Sequence, residues 1–259
     1  MKSSVLVIAA ALAGLICAQD GIKIPFSDPS RPARVVVHTM NGNVSVKPGP
    51  PGSVNVETKE MQHHKERSDG LHRIPMQHGL QAEEADNTVT INAGPPEGDS
   101  DIFLTVPSDL ASLKVNSISG NISIEGVNGE IEVDATNGKA LLTNVAGAVV
   151  AHSLNGGVVA NLLRVAPDKV MSFSSLNGDI NVTLPADTRA RLKMKTDNGE
   201  LYTDFDVRLE AASPHVIEES SGGRHRIKQD RTAYGTINGG GPEMQFTSFN
   251  GNIYIRKAK

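Results

Sequence analysis

The sequence predicts an all-β fold, a single-stranded β-helix or β-solenoid with coils of roughly 18–22 residues and Asn-Gly corners. Three observations predict it. Glycines recur every nine residues, at positions 120, 129, 138, 147 and 156. Each is followed by a short apolar alternation, as in Ile122/Ile124, Ile131/Val133, Ala140/Leu142 and Val149/Ala151. That period of two is the mark of a strand with one buried face. The residues approaching each turn match only at every second glycine: Ser119, Thr136 and Ser153 in one set, Gly126-Val127 and Asn144-Val145 in the other. Two half-turns then make one coil of eighteen residues, and like stacks on like if the coils are parallel. The alternative is an antiparallel β-meander or sandwich in which each Asn-Gly is a hairpin turn.

In chain order, residues 1–18 read as a signal peptide. Lys2 supplies the positive start, Val5 to Ile16 the apolar run, and Ala18 the small residue before a cut that leaves Gln19 first. A run of twelve is short of the roughly 20 apolar residues that span a bilayer, so no membrane span is expected after cleavage. The single cysteine, Cys17, leaves with the signal; disulfides, thiolate chemistry and cysteine metal sites leave with it. Residues 19–33, rich in Pro, Ser and Asp, read as a linker. The solenoid domain is expected over 34–259, opening with RVVVHTMNGNVSVK, and a polar insertion near 59–87 interrupts it as an exposed loop. A longer repeat follows: Asp101 to Ile122 aligns with Asp179 to Leu201, Pro107 matching Pro185 and Gly120 matching Gly199. Proline has no N–H, so these corners should lie outside the ladder.

The expected structural turns are Asn41, Gly42, Gly120, Asn128, Gly129, Asn137, Gly138, Asn155, Gly156, Asn177, Gly178, Asn198, Gly199, Asn250 and Gly251. Asn and Gly tolerate left-handed backbone at low cost. The ends of a solenoid must be covered against edge pairing, and the 59–87 stretch and the basic tail Arg256 to Lys259 are the candidates.

Function classes narrow by exclusion. A net charge of −4 gives no basic surface for nucleic acid, and 3% aromatics with no Trp leave few stacking platforms for bases or sugars. His63, His64, His72 and His78 could hold zinc, nickel or copper, but their spacing fits no tight ligand set, so no metal or other cofactor is expected. Glu125 and Asp134, and Glu130 and Lys139, lie nine apart without a second acid in register, which does not assemble a glycosidase or lyase site. Ser174-Ser175 lacks a nucleophile elbow, and Gly239-Gly240-Gly241 lacks the Lys-Ser/Thr of a phosphate loop.

The repeated Ser/Thr-x-Asn-Gly turns, the V/L-Pro corners at 106–107 and 184–185 and the terminal TSFNGNIYIRK resemble the putative-adhesin domain family of secreted bacterial proteins, related to auto-transporter adhesin heads. The resemblance covers roughly residues 34–259 and implies a single-stranded β-helix in a cell-envelope setting, with no catalytic residues to carry over. The expected function is therefore non-enzymatic: an exported solenoid in the periplasm, at the cell surface or outside it, serving adhesion or protein contact. A protein or a surface glycan is the expected kind of partner, not nucleic acid. Two alternatives stand beside it, a polysaccharide lyase or hydrolase on the β-helix and a metal-binding accessory protein using the histidine-rich loop.

Overall fold

The computed structural model describes residues 21–60, 80–93, 100–210, 216–221, 224–229 and 232–259. Residues 1–18 and the four histidines His63, His64, His72 and His78 lie outside them. The N-terminal part forms β1 (Ile22–Pro25), β2 (Arg34–Asn41), β3 (Val44–Gly49), β4 (Ser53–Glu60), β5 (Leu80–Ala85), β6 (Thr88–Ala93) and β7 (Ser100–Pro107). The regular repeats form β8 (Asp109–Ser119), β9 (Ile122–Glu125), β10 (Asn128–Asn137), β11 (Ala140–Ser153), β12 (Val158–Val165), β13 (Met171–Asn177) and β14 (Ile180–Leu184). The rest is β15 (Ala190–Asn198), β16 (Leu201–Thr203), β17 (Val207–Leu209), β18 (Val216–Ser221), β19 (Arg224–Gln229), β20 (Ala233–Ile237), β21 (Glu243–Asn250) and β22 (Ile253–Lys257).

The chain is a parallel β-solenoid with two long sheets. One runs β6, β2, β8, β10, β11, β13, β21, β15. The other runs β7, β3, β9, β11, β12, β14, β22, β16. β11 serves both because its two halves lie on different sheets. Ile131 pairs with Leu113 and with Val149, the eighteen-residue period; Val150 pairs with Ser172, a step of twenty-two. Among the described residues antiparallel pairing occurs only toward the ends and in the β18–β19 hairpin, which disposes of the meander.

The core lies between the sheets, where alternate residues point inward and stack rung on rung. One row reads Ile91, Val37, Val115, Val133, Ala151, Phe173, Phe246, Met194. The facing row reads Leu104, Val46, Ile124, Leu142, Ala160, Val182, Ile255. These side chains are buried, each contributing about 1.5–3 kcal/mol relative to exposure. Phe173 and Phe246 stack with centroids 5.3 Å apart, filling the interior where the neighbouring rung carries Ala151.

The stacking is not sequential at the ends. The first rung, β2–β3, sits inside β6–β7, and the last, β21–β22, sits inside β15–β16. Three sequence expectations change as a result. Residues 22–25, expected in a linker, form β1 against β4, while Phe26 and Ala33 are buried. At the end of the expected polar loop, residues 80–85 form β5, which pairs with β6 across a turn at Asp86 and Asn87, φ 49° and 62°. The tail is not an end cap: β22 runs to Lys257 between β14 and β16. The sheet edges are instead flanked by β5, by β4 with β1, and by β20 with β17, all paired antiparallel. The antiparallel turn-back changes the direction of the outermost backbone, so no further parallel coil can simply continue the stack.

Candidate functional site

The expected turn residues divide between two corners. At the first, Gly42, Gly120, Gly138, Gly156, Gly178, Gly251 and Gly199 stack in a column. A Cβ on Gly138 would lie 2.0 Å from the Gly120 carbonyl oxygen, and one on Gly156 2.2 Å from that of Gly138. Close backbone approach is what demands glycine at Gly138, Gly156 and Gly199, while at Gly42 the reason is a φ of 95° and at Gly120, with φ 141°, both act. Beside the column runs an amide ladder. Asn155 donates Nδ2 to Asn137 Oδ1 at 2.9 Å and Asn177 to Asn155 at 2.9 Å. Asn250 donates to Asn177 at 2.8 Å and Asn198 to Asn250 at 2.8 Å. Asn41 stands beyond Ser119, its rung neighbour. On the inner side, Ser153 and Ser175 donate to the Gly138 and Gly156 carbonyls, each at 2.8 Å. At the second corner sit Asn128 and Gly129; Asn128 donates to Asp109 at 2.9 Å, and a Cβ on Gly129 would meet the Leu110 oxygen at 2.3 Å.

The aligned Asp101 and Asp179 do the same work. Each accepts the backbone N–H of the residue after a turn glycine, Asn43 at 2.9 Å and Asn252 at 2.8 Å, and so pins a tucked-in rung.

On the outer face of the first sheet, Asn92, His38, Asn116, Asp134, His152, Ser174, Thr247 and Lys195 occupy one row. Asn116 Nδ2 lies 3.0 Å from His38 Nδ1, and Ser174 Oγ shares a 2.8 Å hydrogen bond with His152 Nδ1. Asp134, His152 and Ser174 thus stand on consecutive rungs. Nucleophilic catalysis also needs free amides aimed at a developing oxyanion, and the backbone here is paired in the ladder. Other acids are paired with lysines: Glu132 with Lys114 at 2.7 Å, Glu130 with Lys169 at 3.0 Å and Glu125 with Lys47 at 3.9 Å. Donating to Glu132 holds the Lys114 ammonium above its ordinary pKa, and donating to Glu130 does the same for Lys169. Among the described residues no three His, Cys, Asp or Glu side chains converge to hold a metal ion.

Next to the polar row, one position before a turn Asn or, for Ile118, before Ser119 in the same register, Met40, Ile118, Leu176 and Phe249 form an outer apolar stripe, 46%, 49%, 40% and 46% exposed. Thr136 lies in it on the rung after Ile118. Met40, Ile118 and Thr136 make one wall of a shallow groove of about 400 Å³, with His38, Asn116 and Asp134 opposite.

A larger groove, about 550 Å³, opens at the second corner. It lies where coil length grows from eighteen to twenty-two and the extra residues bulge after β12. Ala146, small and buried, lies between Asn128 and Arg164 on adjacent rungs. One wall follows β12 to Pro167, just before Lys169 and its bond to Glu130. The other is the loop Pro185 to Arg189, held by Asn238, whose Nδ2 donates to the carbonyls of Thr188 at 2.7 Å and Ala186 at 3.1 Å. Arg164 and Arg189 both line it, as does Thr188, which is 6% exposed and whose Oγ1 has no hydrogen-bond partner. Sequence reading missed these residues; the only signal was the change in coil length.

A two-sheet parallel solenoid with ladder-locked corners and surface grooves defines a repetitive β-solenoid domain. The chain belongs to the Toastrack DUF4097 family, which it matches over residues 21–255. That match is consistent with the adhesin-domain resemblance carried by the repeats. None of the curated proteins matches the chain. Among solved structures it is similar to a putative cell adhesion protein from Clostridium sporogenes ATCC 15579, at 9% identity and a TM-score of 0.41, covering 92% of this chain and 100% of that one. No helix of the described residues is long and apolar enough to cross a membrane.

Proposed function

We propose that this protein is an exported, non-enzymatic solenoid of the cell envelope, a rigid scaffold that holds partners along its outer surface in adhesion or protein contact. The observation that carries the reading is the apolar stripe Met40, Ile118, Leu176 and Phe249, which follows the stack beside the first corner while the apolar residues of alternate positions are buried. Exposed apolar surface arranged in a strip favours association. A stacked β-scaffold fixes the spacing of such side chains, so ordering costs on binding are low. Export rests on residues 1–18 acting as a signal peptide.

Beads coated with the chain and washed over intact cells of the producing organism test the adhesive role. A variant carrying Ile118→Lys and Phe249→Lys, both at exposed positions, should fold normally yet lose most bead retention. Equal retention of the two coatings would sink the proposal. Amino-terminal sequencing of the exported protein should begin at Gln19; a chain retaining Met1 would remove the export part.

A further inference from the structure

We propose that the groove at the second corner is a binding site for an acidic sugar, a uronate, held by its carboxylate between Arg164 and Arg189. Neither guanidinium has a hydrogen bond or ion pair with any described residue, although both line the same concavity. Arginine's planar fork matches a carboxylate in two-point contact, and the two arginines lining this groove have no carboxylate partner among the described residues.

The remaining chemistry selects a sugar acid over a bare anion. Asp187 contributes an acceptor beside the arginines, suited to ligand hydroxyls and hostile to a ligand with nothing but negative charge. Asn128 commits its Nδ2 to Asp109, which leaves its Oδ1 to accept another hydroxyl. Leu163, Pro167 and Pro185 give the apolar contact that a ring's C–H face requires. The scarcity of aromatic residues argues against recognition by ring stacking, and here the charge provides it instead. A volume of about 550 Å³ falls in the range of small-molecule sites. The stapled walls keep the groove open without ligand, which lowers the ordering cost of binding. This inference stands apart from the adhesive reading, because a dissolved monosaccharide reports on the groove whether or not the apolar stripe holds cells.

Titration calorimetry of the intact chain at low ionic strength, with sodium glucuronate as the probe, tests it. Saturable one-to-one binding is expected, weakened about tenfold or more by Arg164→Gln and by Arg189→Gln. Unchanged urea midpoints for the two arginine variants separate lost contact from lost fold. Methyl glucoside, without the carboxylate, should give no heat. Absence of saturable glucuronate binding, or binding that ignores both arginine substitutions, overturns the proposal. So does inorganic sulfate or N-acetylglutamate binding as tightly as glucuronate, since the groove would then recognise an oxyanion or an acidic peptide rather than a sugar acid.

Discussion

Replacing Gly138 by alanine would put a methyl carbon 2.0 Å from the Gly120 carbonyl oxygen, 2.6 Å from its carbon and 3.2 Å from the Asn121 nitrogen. All three are backbone atoms of the adjacent rung, so no side chain can swing aside. Restoring ordinary contact needs a retreat of about 1.4 Å, against a strand spacing of about 4.8 Å that the ladder fixes. The bonds that would stretch are Ile122 N to Lys139 O at 2.9 Å, Gly120 N to Asn137 O at 3.1 Å and Lys139 N to Asn121 Oδ1 at 2.9 Å. Three weakened bonds at about 1 kcal/mol each, with about 1–3 kcal/mol of overpacking, give a loss of about 4–6 kcal/mol. Gly138 is not in the left-handed region, so backbone strain adds nothing. Gly52 is the reverse case: φ is +89°, and an added Cβ meets only Pro29 Cβ at 3.7 Å. Its alanine variant should lose about 1–2 kcal/mol through the dihedral alone. Urea unfolding of the two variants beside the parent chain measures both. Gly138→Ala unfolding within about 1 kcal/mol of the parent, or Gly52→Ala costing more than Gly138→Ala, would refute close approach as the reason for glycine at position 138.

Asn155→Ala removes one donor and one acceptor from the amide ladder and should cost about 1–2 kcal/mol despite its exposed position; a urea midpoint equal to the parent's would show that the ladder contributes no stability. Truncation after Pro242 deletes the buried Met244, Phe246, Ile253 and Ile255, together worth about 6–12 kcal/mol, comparable with the whole stability of a domain. That truncated chain should lack a cooperative thermal transition, and a parent-like transition would contradict the placement of β21–β22 inside the stack. The Ser27 hydroxyl, donating at 2.6 Å, is the main cause holding the Glu84 carboxyl below its ordinary 4.5, helped by the Ser27 and Asn87 N–H groups against partial desolvation. A lowered folded pKa makes this clasp fully stabilising above 4.5 and lost as pH falls through the folded value. Amide exchange at Ser27 and Asn87, corrected for intrinsic rates, should accelerate only on that acid side; protection unchanged across it would remove Glu84 as the clasp.

The middle of the solenoid was legible because its information is local and repeated. Ile122/Ile124 and Ala140/Leu142 are spaced by the coil itself, and they pair in that register. The ends were not legible, because β2 pairs with β8 across seventy-eight residues and with β6 across fifty-four, distances that no local period encodes. The hairpin at Asp86-Asn87 was hidden by the polar alternation of Leu80 to Ala85, whose side chains are exposed or half-buried along the strand. For the large groove, Arg164 comes from the end of β12 and Arg189 from the loop between β14 and β15. Irregularity in the period marks where such loops bulge, but not which side chains they bring together. The turn residues carried a different lesson. Asn-Gly reads first as a hairpin signal, yet here it answers to a neighbouring rung, as the Gly138 and Gly120 backbones show.

The tucked-in last rung also imposes an order on assembly. During synthesis β15 and β16 emerge before β21 and β22, and β13 then offers them the same kind of parallel edge that β21 will later fill. The rows are chemically alike, with Met194 able to stand where Phe246 belongs. A premature lamination of β15 onto β13 would leave the last seventeen residues outside and would have to peel open to admit them. The C-terminal strands therefore act as a keystone: the wall on one side stays provisional until the final segment is set, and completion of the chain, rather than growth of the stack, decides when that end becomes permanent.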